Sequence, residues 1–468
     1  MNDSGITRRA ALTGAAAALP LLGVTTTAQA ESPAGGWHGK FPPPDVDKML
    51  REISAANIQR TIEKLVTFGT RNTLSSQTDP TRGIGAARDW LFDEFKKVAI
   101  PSGGRMTVEL QSYLQPVASR IPTPTVITNV VATLQGSQPD SVGRTYVVSG
   151  HYDSMPTDPT NPVADAPGAN DDASGAAAVL EMARVMATRR FDATIVFMTV
   201  AGEEQGLYGS NFFATQAKAA GRNIAGMFTN DIIGSSTGPE GERDPYTIRC
   251  FGEGLGNPPS PLEADWRRFG GGETESPPRQ LARYIKEVAE NEATHMTVNI
   301  MYRRDRLGRG GDHIPFLQQG YSAVRFTEPK EDYRHQHQDV RVENGVQIGD
   351  LPEFVDYDYC ARAARVNASA LTALANSPAE VQGALYNVVG LRTDTELRWN
   401  ANTEADLAGY EVVMRSPTAV EWEDTIDVGN VTNVVLRNVS KDNFWFGVRA
   451  VDKDGNRSPV AFPRPTST

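Results

Sequence analysis

Apolar, β-branched stretches alternate with segments of helical periodicity through most of the chain. A clear example is residues 193–200 (ATIVFMTV), whose unbroken apolar character predicts a fully buried strand. Similar stretches predict strands at 145–150, 224–230 and 322–327, and helical spacing predicts helices at 176–188 and 211–220. This alternation is typical of an α/β fold, a mostly parallel mixed sheet with helices on both faces.

The same patterning predicts further elements on both sides of this central region. Helices are predicted at 46–68, 83–98 and 279–292, with a closing helix in two pieces over 350–375. Strands are predicted at 106–113, 126–134, 246–251 and 297–302. The Gly- and Pro-rich segment 252–278 is predicted as a loop, either the wall of a cleft or a solvated surface loop.

The pattern of predicted elements changes after Pro378, where short strands replace the β/α alternation. Strands are predicted at 397–399, 407–413 and 443–452, with a turn at 454–459. Trp399, Tyr410 and Phe446 have the spacing of a small sandwich core. The segment 383–465 resembles a fibronectin type III module, which we expect to stabilise or tether rather than to catalyse.

The first 30 residues have the pattern of an export signal. Arg8 and Arg9 form a twin-arginine pattern, an apolar run follows over 10–24, and residues 28–30 (AQA) are typical of a cleavage site. The apolar run is too short to persist as a membrane helix. We expect a mature chain beginning at Glu31, an extended leader over 31–46, and a periplasmic or secreted location.

Length indicates how many domains the chain has, and net charge limits the kinds of partner that it can bind. A chain of 468 residues predicts a large domain with a smaller one. The net charge of −11 and the pI of about 5.2 argue against nucleic acids and anionic membrane surfaces as partners. Cys250 and Cys360 are the two cysteines of the sequence, and one disulfide between them is possible in an oxidising compartment.

Acidic and histidine side chains follow the predicted strands, at the sheet edge where α/β proteins bind ligands. Glu203 and Glu204 lie in the loop that follows the strand at 193–200, and two buried like charges require a compensating cation or proton. The other candidates are His151, Asp153, Asp171, Asp231 and a late histidine, either His335 or His337. Carboxylates and imidazoles together form a ligand set suited to zinc.

Six short motifs give this constellation a specific resemblance. In chain order they are HYDS at 151–154, GANDDASG at 168–175, AGEEQGLYGS at 201–210, NDIIG at 230–234, GDHIPF at 311–316 and a late HxxxD at 335–339. Their order resembles the M28 family of zinc exopeptidases over residues 47–378. The resemblance implies a zinc peptidase domain that holds two zinc ions and acts on peptide substrates.

The resemblance also implies a role for each candidate. Asp171 would bridge the two zinc ions, with His151 and Asp231 completing one ligand set, and Glu204 and the late histidine the other. Glu203 would be the general base that takes a proton from the attacking water and passes it to the leaving amine. Asp153 would orient His151. Two neighbours have structural roles: Asp172 is expected to cap the following helix, and His313 to hydrogen-bond near the site.

The late histidine departs from the family pattern, in which an aromatic residue precedes the histidine and an aspartate follows four residues later. His335 has Asp339 at that spacing, but Arg334 precedes it. His337 lies two residues further and reaches the same point after a small shift of the loop. Both therefore remain candidates on the sequence alone.

Removal of N-terminal residues from peptides is the leading functional hypothesis. The family also includes carboxypeptidases, which need a cationic pocket that Arg303, Arg304, Arg306 and Arg309 could supply. It includes cyclases of N-terminal glutamine as well, but these bind one metal ion, and the presence of His151 argues against that reading. A non-catalytic binding protein is a further alternative, disfavoured because every ligand type is present.

Overall fold

The computed structural model describes residues 41–253, 259–389 and 391–466. The predicted signal at 1–30 and the first ten residues of the predicted leader lie outside the described residues. In the described part, no helix combines the length and the apolar composition that crossing a bilayer requires.

The helices are α1 Pro44–Arg51, α2 Ala55–Val66, α3 Ile84–Ala99, α4 Ala173–Met186, α5 Glu203–Gly206, α6 Tyr208–Ala219, α7 Pro261–Gly270, α8 Pro277–Ala289, α9 His313–Gln318 and α10 Tyr357–Asn376. The strands before α10 are β1 Met106–Gln115, β2 Thr125–Leu134, β3 Arg144–His151, β4 Thr194–Val200, β5 Asn223–Asn230, β6 Thr247–Phe251, β7 Thr297–Met301, β8 Ala323–Thr327, β9 Arg341–Glu343 and β10 Val346–Ile348. The strands after it are β11 Leu385–Tyr386, β12 Thr395–Arg398, β13 Leu407–Arg415, β14 Asp424–Gly429, β15 Asn433–Leu436, β16 Trp445–Asp452 and β17 Arg464–Pro465.

An eight-stranded mixed sheet, in the order β1-β2-β4-β3-β5-β8-β6-β7, forms the centre of the larger part. The strands β4, β3, β5 and β8 run parallel to one another, whereas the pairs β1–β2, β2–β4 and β6–β8 are antiparallel. Every residue of β3 and of β4 is buried. The predicted fold class, a mostly parallel mixed sheet with helices on both faces, is confirmed.

Side chains alternate between the two faces of this sheet, as the period of a strand requires. Phe197 and Phe228 belong to one apolar cluster, which includes α4 and α10, whereas Val196 and Met227 belong to a second. The second cluster includes Phe213 of α6 and Phe316 of α9, which cover the opposite face. Because both faces are covered, the central strands are apolar along their whole length.

The prediction of a single helix at 46–68 is wrong, because the structure has two helices there. The first begins at Pro44, inside the predicted leader, where the fixed φ of proline suits the first helical position. The second begins after Ser54, whose Oγ accepts a hydrogen bond from the Asn57 amide at 3.3 Å. This cap restarts the helix while the apolar spacing continues across the break.

Three other predictions also need correction. The segment 252–278 is not all loop, because Ser260 caps α7 and Pro261 occupies its first turn, which the density of Gly and Pro in the sequence obscured. The helix predicted from Asn211 begins at Tyr208. Cys250 and Cys360 are both buried and free, so the possible disulfide is not formed.

The segment after Pro378 forms a four-stranded and a three-stranded sheet around a separate core. Trp399, Tyr410 and Phe446 are buried in that core, with the rings of Trp399 and Tyr410 5.4 Å apart. The likeness to a fibronectin type III module stays a prediction. We call residues 383–465 the C-terminal module.

Candidate metal centre

The candidate ligands meet where the parallel strands of the central sheet end. His151 is the last residue of β3, and Asp231 directly follows β5. Glu203 and Glu204 form the first turn of α5, three residues after β4. Asp171 lies in the loop before α4, and Asp172 caps that helix as predicted by accepting a hydrogen bond from the Gly175 amide.

Asp171 lies between the two histidines of the site. Its Oδ1 is 3.2 Å from His151 Nε2, and its Oδ2 is 2.9 Å from His337 Nε2. Glu204 Oε2 is also 3.1 Å from His337 Nε2. Each oxygen of the Asp171 carboxylate therefore faces a different imidazole, with Glu204 beside the second one.

Asp231 and Glu203 lie on the His151 side of the centre. Asp231 Oδ1 is 3.9 Å from His151 Nε2. Two sets of potential ligand atoms each lie within 4.8 Å of one another: His151, Glu203 and Asp231 form one set, and His151, Asp171 and Glu204 form the other. Glu203 is thus within reach of a cation as well as of a water molecule in the cleft.

Asp153 links His151 to the loop that carries the two glutamates. The Nδ1 atom of His151 donates to the backbone carbonyl of Asp153 at 3.1 Å and lies 3.4 Å from its Oδ1. Asp153 Oδ2 accepts hydrogen bonds from the Glu204 amide and the Thr73 hydroxyl. Because Nδ1 is occupied in this way, Nε2 of His151 is directed at Asp171 and Asp231.

The structure brings His337, and not His335, to the centre. The ring of His335 stacks on Phe354, with 3.6 Å between ring centroids, and its Nδ1 is 3.8 Å from Asp332, whereas Nε2 of His337 lies within 3.1 Å of both Asp171 and Glu204. Asp339, which gave His335 its family spacing, instead exchanges hydrogen bonds with Thr157. The sequence could not separate the two histidines because they are two residues apart on a loop whose backbone has a positive φ at His337.

Two buried residues that the sequence did not indicate fix the loops of the site. Asp350 accepts hydrogen bonds from the amides of Asn170 and Asp171, at 2.8 and 2.7 Å. Arg71 donates to the carbonyls of Tyr152 and Gly168, at 2.7 and 2.9 Å, and so joins the His151 loop to the Asp171 loop. Neither residue lies in a recognisable local motif, so only the fold reveals them.

The charges of the cluster shift the pKa values of its members. Although burial favours the neutral acid, His337 and His151 hold the pKa of Asp171 well below its usual range. Burial opposes a charged imidazole, yet Glu204 and Asp171 raise the pKa of His337 to about 11. Burial, reinforced by the neighbouring carboxylates, raises the pKa of Glu203 well above its usual value and also raises that of Glu204.

This donor set fits a metal ion. Glu204 Oε1 is buried and has no hydrogen-bond partner among the described residues. The carboxylates outnumber the imidazoles, so the cluster holds negative charge that a divalent cation would offset. Carboxylate oxygens and imidazole nitrogens are the ligands of catalytic zinc.

A cleft of about 370 Å³ opens onto the centre. Its lining includes the ligand candidates Asp171, Glu203, Glu204, Asp231 and His337, together with Ser119, Arg120, Met155, Leu207, Arg306 and Arg309. Arg303 and Arg304 do not line it. His313 lies behind the wall, where its Nε2 donates to the Arg304 carbonyl at 2.7 Å, in agreement with a structural role.

Comparison with known proteins identifies clear relatives. The model of a family described as peptidase family M28 matches residues 129–344. A probable zinc metalloprotease of Leptosphaeria maculans is 51% identical over 424 residues, which cover 91% of this chain and 98% of that protein. A probable zinc metalloprotease of Pyricularia oryzae is 53% identical over 434 residues, covering 91% of this chain and 86% of that protein. The solved LapA aminopeptidase of Legionella pneumophila has a TM-score of 0.49 at 20% identity, covering 70% of this chain and 74% of that one.

Proposed function

The chain belongs to peptidase family M28, and on this premise we propose that this zinc metallopeptidase removes N-terminal residues from peptides at a two-zinc site. The observation that carries the proposal is the position of Asp171, whose two oxygens face His151 and His337 separately. One carboxylate between two sets of ligands is the arrangement that two close dications need.

The ligands divide between the two ions according to their positions. Asp171 would bridge the ions, His151 and Asp231 would complete one ligand set, and Glu204 and His337 the other. When bound, zinc polarises the scissile carbonyl and makes water more acidic. We assign no ligand role to His335, because its ring is stacked away from the centre.

Glu203 is the general base of the proposed reaction. It lines the cleft beside Asp171 and Asp231, so a water molecule there would lie within its reach. Its carboxylate accepts the proton of the attacking water and later delivers it to the leaving amine. Asp153 acts through His151, whose imidazole it orients by the contact at Nδ1.

Exchanging each glutamate for glutamine tests this division of roles. Glu203→Gln keeps the size of the side chain but cannot accept a proton, so we expect kcat to fall at least about 10³-fold with zinc content and KM nearly unchanged. Glu204→Gln should instead weaken zinc binding, because an amide is a poor zinc ligand. Measurement of zinc and kcat on both variants separates the roles, and the opposite pattern of zinc loss would reverse the two assignments.

Zinc stoichiometry tests the dinuclear site independently of substrate. Elemental analysis of the purified protein should approach two zinc ions per chain, and reconstitution of the metal-free protein should gain activity with the second equivalent. Full activity at one equivalent, unchanged by further zinc, would contradict the second ion. A protein that binds no zinc and cleaves no peptide would favour a non-catalytic binding role.

The excess of carboxylates in the cleft supports recognition of a free α-ammonium group. The alternative is a carboxypeptidase, which the guanidinium groups of Arg120 and Arg309 favour: both line the cleft, and neither contacts a carboxylate within the described ranges. Arg306 is less available, because it is paired with Asp305 and Glu331. Release from aminoacyl anilides supports the aminopeptidase, whereas C-terminal cleavage of acetyl-blocked peptides would transfer the assignment to the carboxypeptidase.

We propose that the protein is exported, on the support of the twin-arginine pattern at Arg8 and Arg9 and the cleavage pattern at 28–30. Expression with Arg8→Lys and Arg9→Lys together should leave the protein in the cytoplasm with its signal uncleaved. N-terminal sequencing of the wild-type protein should begin at Glu31. Unchanged export of the double variant would contradict the proposal.

A further inference from the structure

Arg325 is a buried arginine that contacts two residues lining the cleft, the candidate ligand Asp231 and Gly310. It lies in β8 with no exposed surface. One guanidinium nitrogen, Nη2, is 2.9 Å from Asp231 Oδ1 and also donates to the Asp231 carbonyl at 3.3 Å. The other, Nη1, is 3.1 Å from Asp305 Oδ2 and donates to the carbonyl of Gly310.

The second set of contacts anchors the segment 303–310, which we call the arginine loop. Asp305, at the base of this loop, also accepts a hydrogen bond from the Arg306 amide at 2.6 Å. The other end of the loop, at Gly308, Arg309 and Gly310, lines the cleft. The wall of the cleft therefore depends on the same guanidinium that holds Asp231.

We propose that Arg325 is a positioning residue that couples the metal centre to the substrate-binding wall of the cleft. One guanidinium holds Oδ1 of Asp231, the oxygen that lies 3.9 Å from His151 Nε2, and at the same time holds Asp305 and Gly310. The proposal rests on the proposed function, since it assigns Asp231 to the metal and the cleft to the peptide.

The chemistry of the side chain explains why arginine is required here. A planar guanidinium presents two Nη atoms in a fixed fork, so that it contacts Asp231 with one and Asp305 with the other. The single ammonium of a lysine cannot keep this geometry with both carboxylates. Arg325→Lys therefore keeps the positive charge and removes the coupling.

Arg249 provides a matched control on the neighbouring strand β6. It is also largely buried and pairs with Glu331, and it donates to the Glu328 carbonyl at 2.7 Å. In the part of the chain that the structure describes, it forms no hydrogen bond or ion pair with Asp231 or Gly310. Arg249→Lys thus disturbs a buried arginine–glutamate pair without contacting Asp231 or Gly310, but Glu331 also pairs with Arg306 of the arginine loop, so this variant is a control for zinc affinity and not for loop cleavage.

The experiment compares Arg325→Lys, Asp305→Asn and Arg249→Lys by three measurements. These are KM and kcat with a peptide substrate, zinc affinity by chelator competition, and the rate of trypsin cleavage at the arginines of the loop in metal-free protein. Removing an outer partner of a metal ligand typically lowers metal affinity or activity roughly 10- to 100-fold. We expect Arg325→Lys to weaken zinc binding by such a factor, to raise KM more than it lowers kcat, and to accelerate loop cleavage.

Asp305→Asn separates the two ends of the coupling. It releases the loop but leaves the contact of Arg325 with Asp231, so KM and loop cleavage should rise while zinc affinity stays near the wild-type value. Arg249→Lys should resemble the wild type in zinc affinity. If Arg325→Lys binds zinc as tightly as Arg249→Lys does, or if Arg325→Lys or Asp305→Asn leaves the loop as resistant to trypsin as in the wild type, the coupling is refuted. A wild-type protein without peptidase activity would contradict the proposed function alone, because trypsin cleavage and zinc affinity still test Arg325.

Discussion

Two buried clusters of charged side chains differ in how their charges are balanced. At the contact between the larger part and the C-terminal module, Glu275 lies between Arg283 and Arg415, with contacts of 2.6 and 2.5 Å. All three side chains are almost fully buried. In the metal centre, by contrast, the four carboxylates of Asp171, Glu203, Glu204 and Asp231 converge with only two imidazoles and with one guanidinium, that of Arg325 on Asp231.

The difference indicates what each cluster is for. A carboxylate held between two guanidinium groups is compensated within the chain, so it serves to join two parts of the fold. Carboxylates gathered without enough cationic partners are costly in a buried site unless an external cation joins them. An excess of buried carboxylates over cationic side chains thus indicates a site that binds a cation.

Asp171→Asn is expected to have the largest effect. The amide keeps the shape of the side chain but removes the negative charge between the two proposed ions, so zinc content and activity should both fall, activity by at least about 10³-fold. Asp165→Asn, an exposed change in the same loop, is the matched control. Zinc analysis and kinetics check the result, and a variant with two zinc ions and near-normal activity would show that Asp171 is not the bridge.

The fold was more predictable from the sequence than the details of the site. Unbroken apolar strands such as 193–200 require burial on both faces, so the central sheet and the edge carrying Glu203 and Asp231 follow from pattern alone. The choice between His335 and His337 depends on the path of one loop, which no periodicity determines. Arg71, Arg325 and Asp350 act on atoms far away in sequence, so their contacts exist only in the folded chain.

Glu275→Ala should have the next largest effect, and on stability rather than on catalysis. Removing one partner from a buried ion cluster leaves two uncompensated guanidinium groups, which typically costs about 3–5 kcal/mol. Glu263→Ala, which breaks the more exposed pair with Arg267, should cost at most about 1 kcal/mol. Denaturant unfolding measures both.

The loss in Glu275→Ala should be the same with zinc bound and after chelation, because distant sites act additively on the free energy of unfolding. Its kcat, measured below the unfolding transition, should stay close to that of the wild type. If Glu275→Ala is as stable as the wild type, the cluster of Glu275, Arg283 and Arg415 does not stabilise the fold. If it loses zinc, that cluster and the metal centre are not independent.

The smallest expected effect concerns Asp192, at the interface with the C-terminal module, whose negative charge is only weakly offset by cationic neighbours. Burial, with Asp406 and Asp452 nearby, raises the pKa of Asp192 to about 6, against the opposing effect of Arg144. The folded protein therefore holds this proton at a higher pH than the unfolded chain does. Stability is lost as the pH rises from about 4 to 6 and the loss is constant above that range.

Asp192→Asn removes this ionisation and keeps a side chain that can still hydrogen-bond. Because the carboxyl is about half-exposed, solvent screening limits the expected gain in unfolding free energy to roughly 1–2 kcal/mol at neutral pH. The gain should shrink towards zero as the pH falls below about 4, where the carboxyl becomes protonated in the unfolded chain as well as in the folded protein. Urea unfolding of Asp192→Asn and of Asp140→Asn, an exposed acid near the same interface, across pH 4 to 8 checks this. An equal gain at every pH would mean that ionisation of Asp192 is not its cause, and the interface would then hold no uncompensated charge at this position.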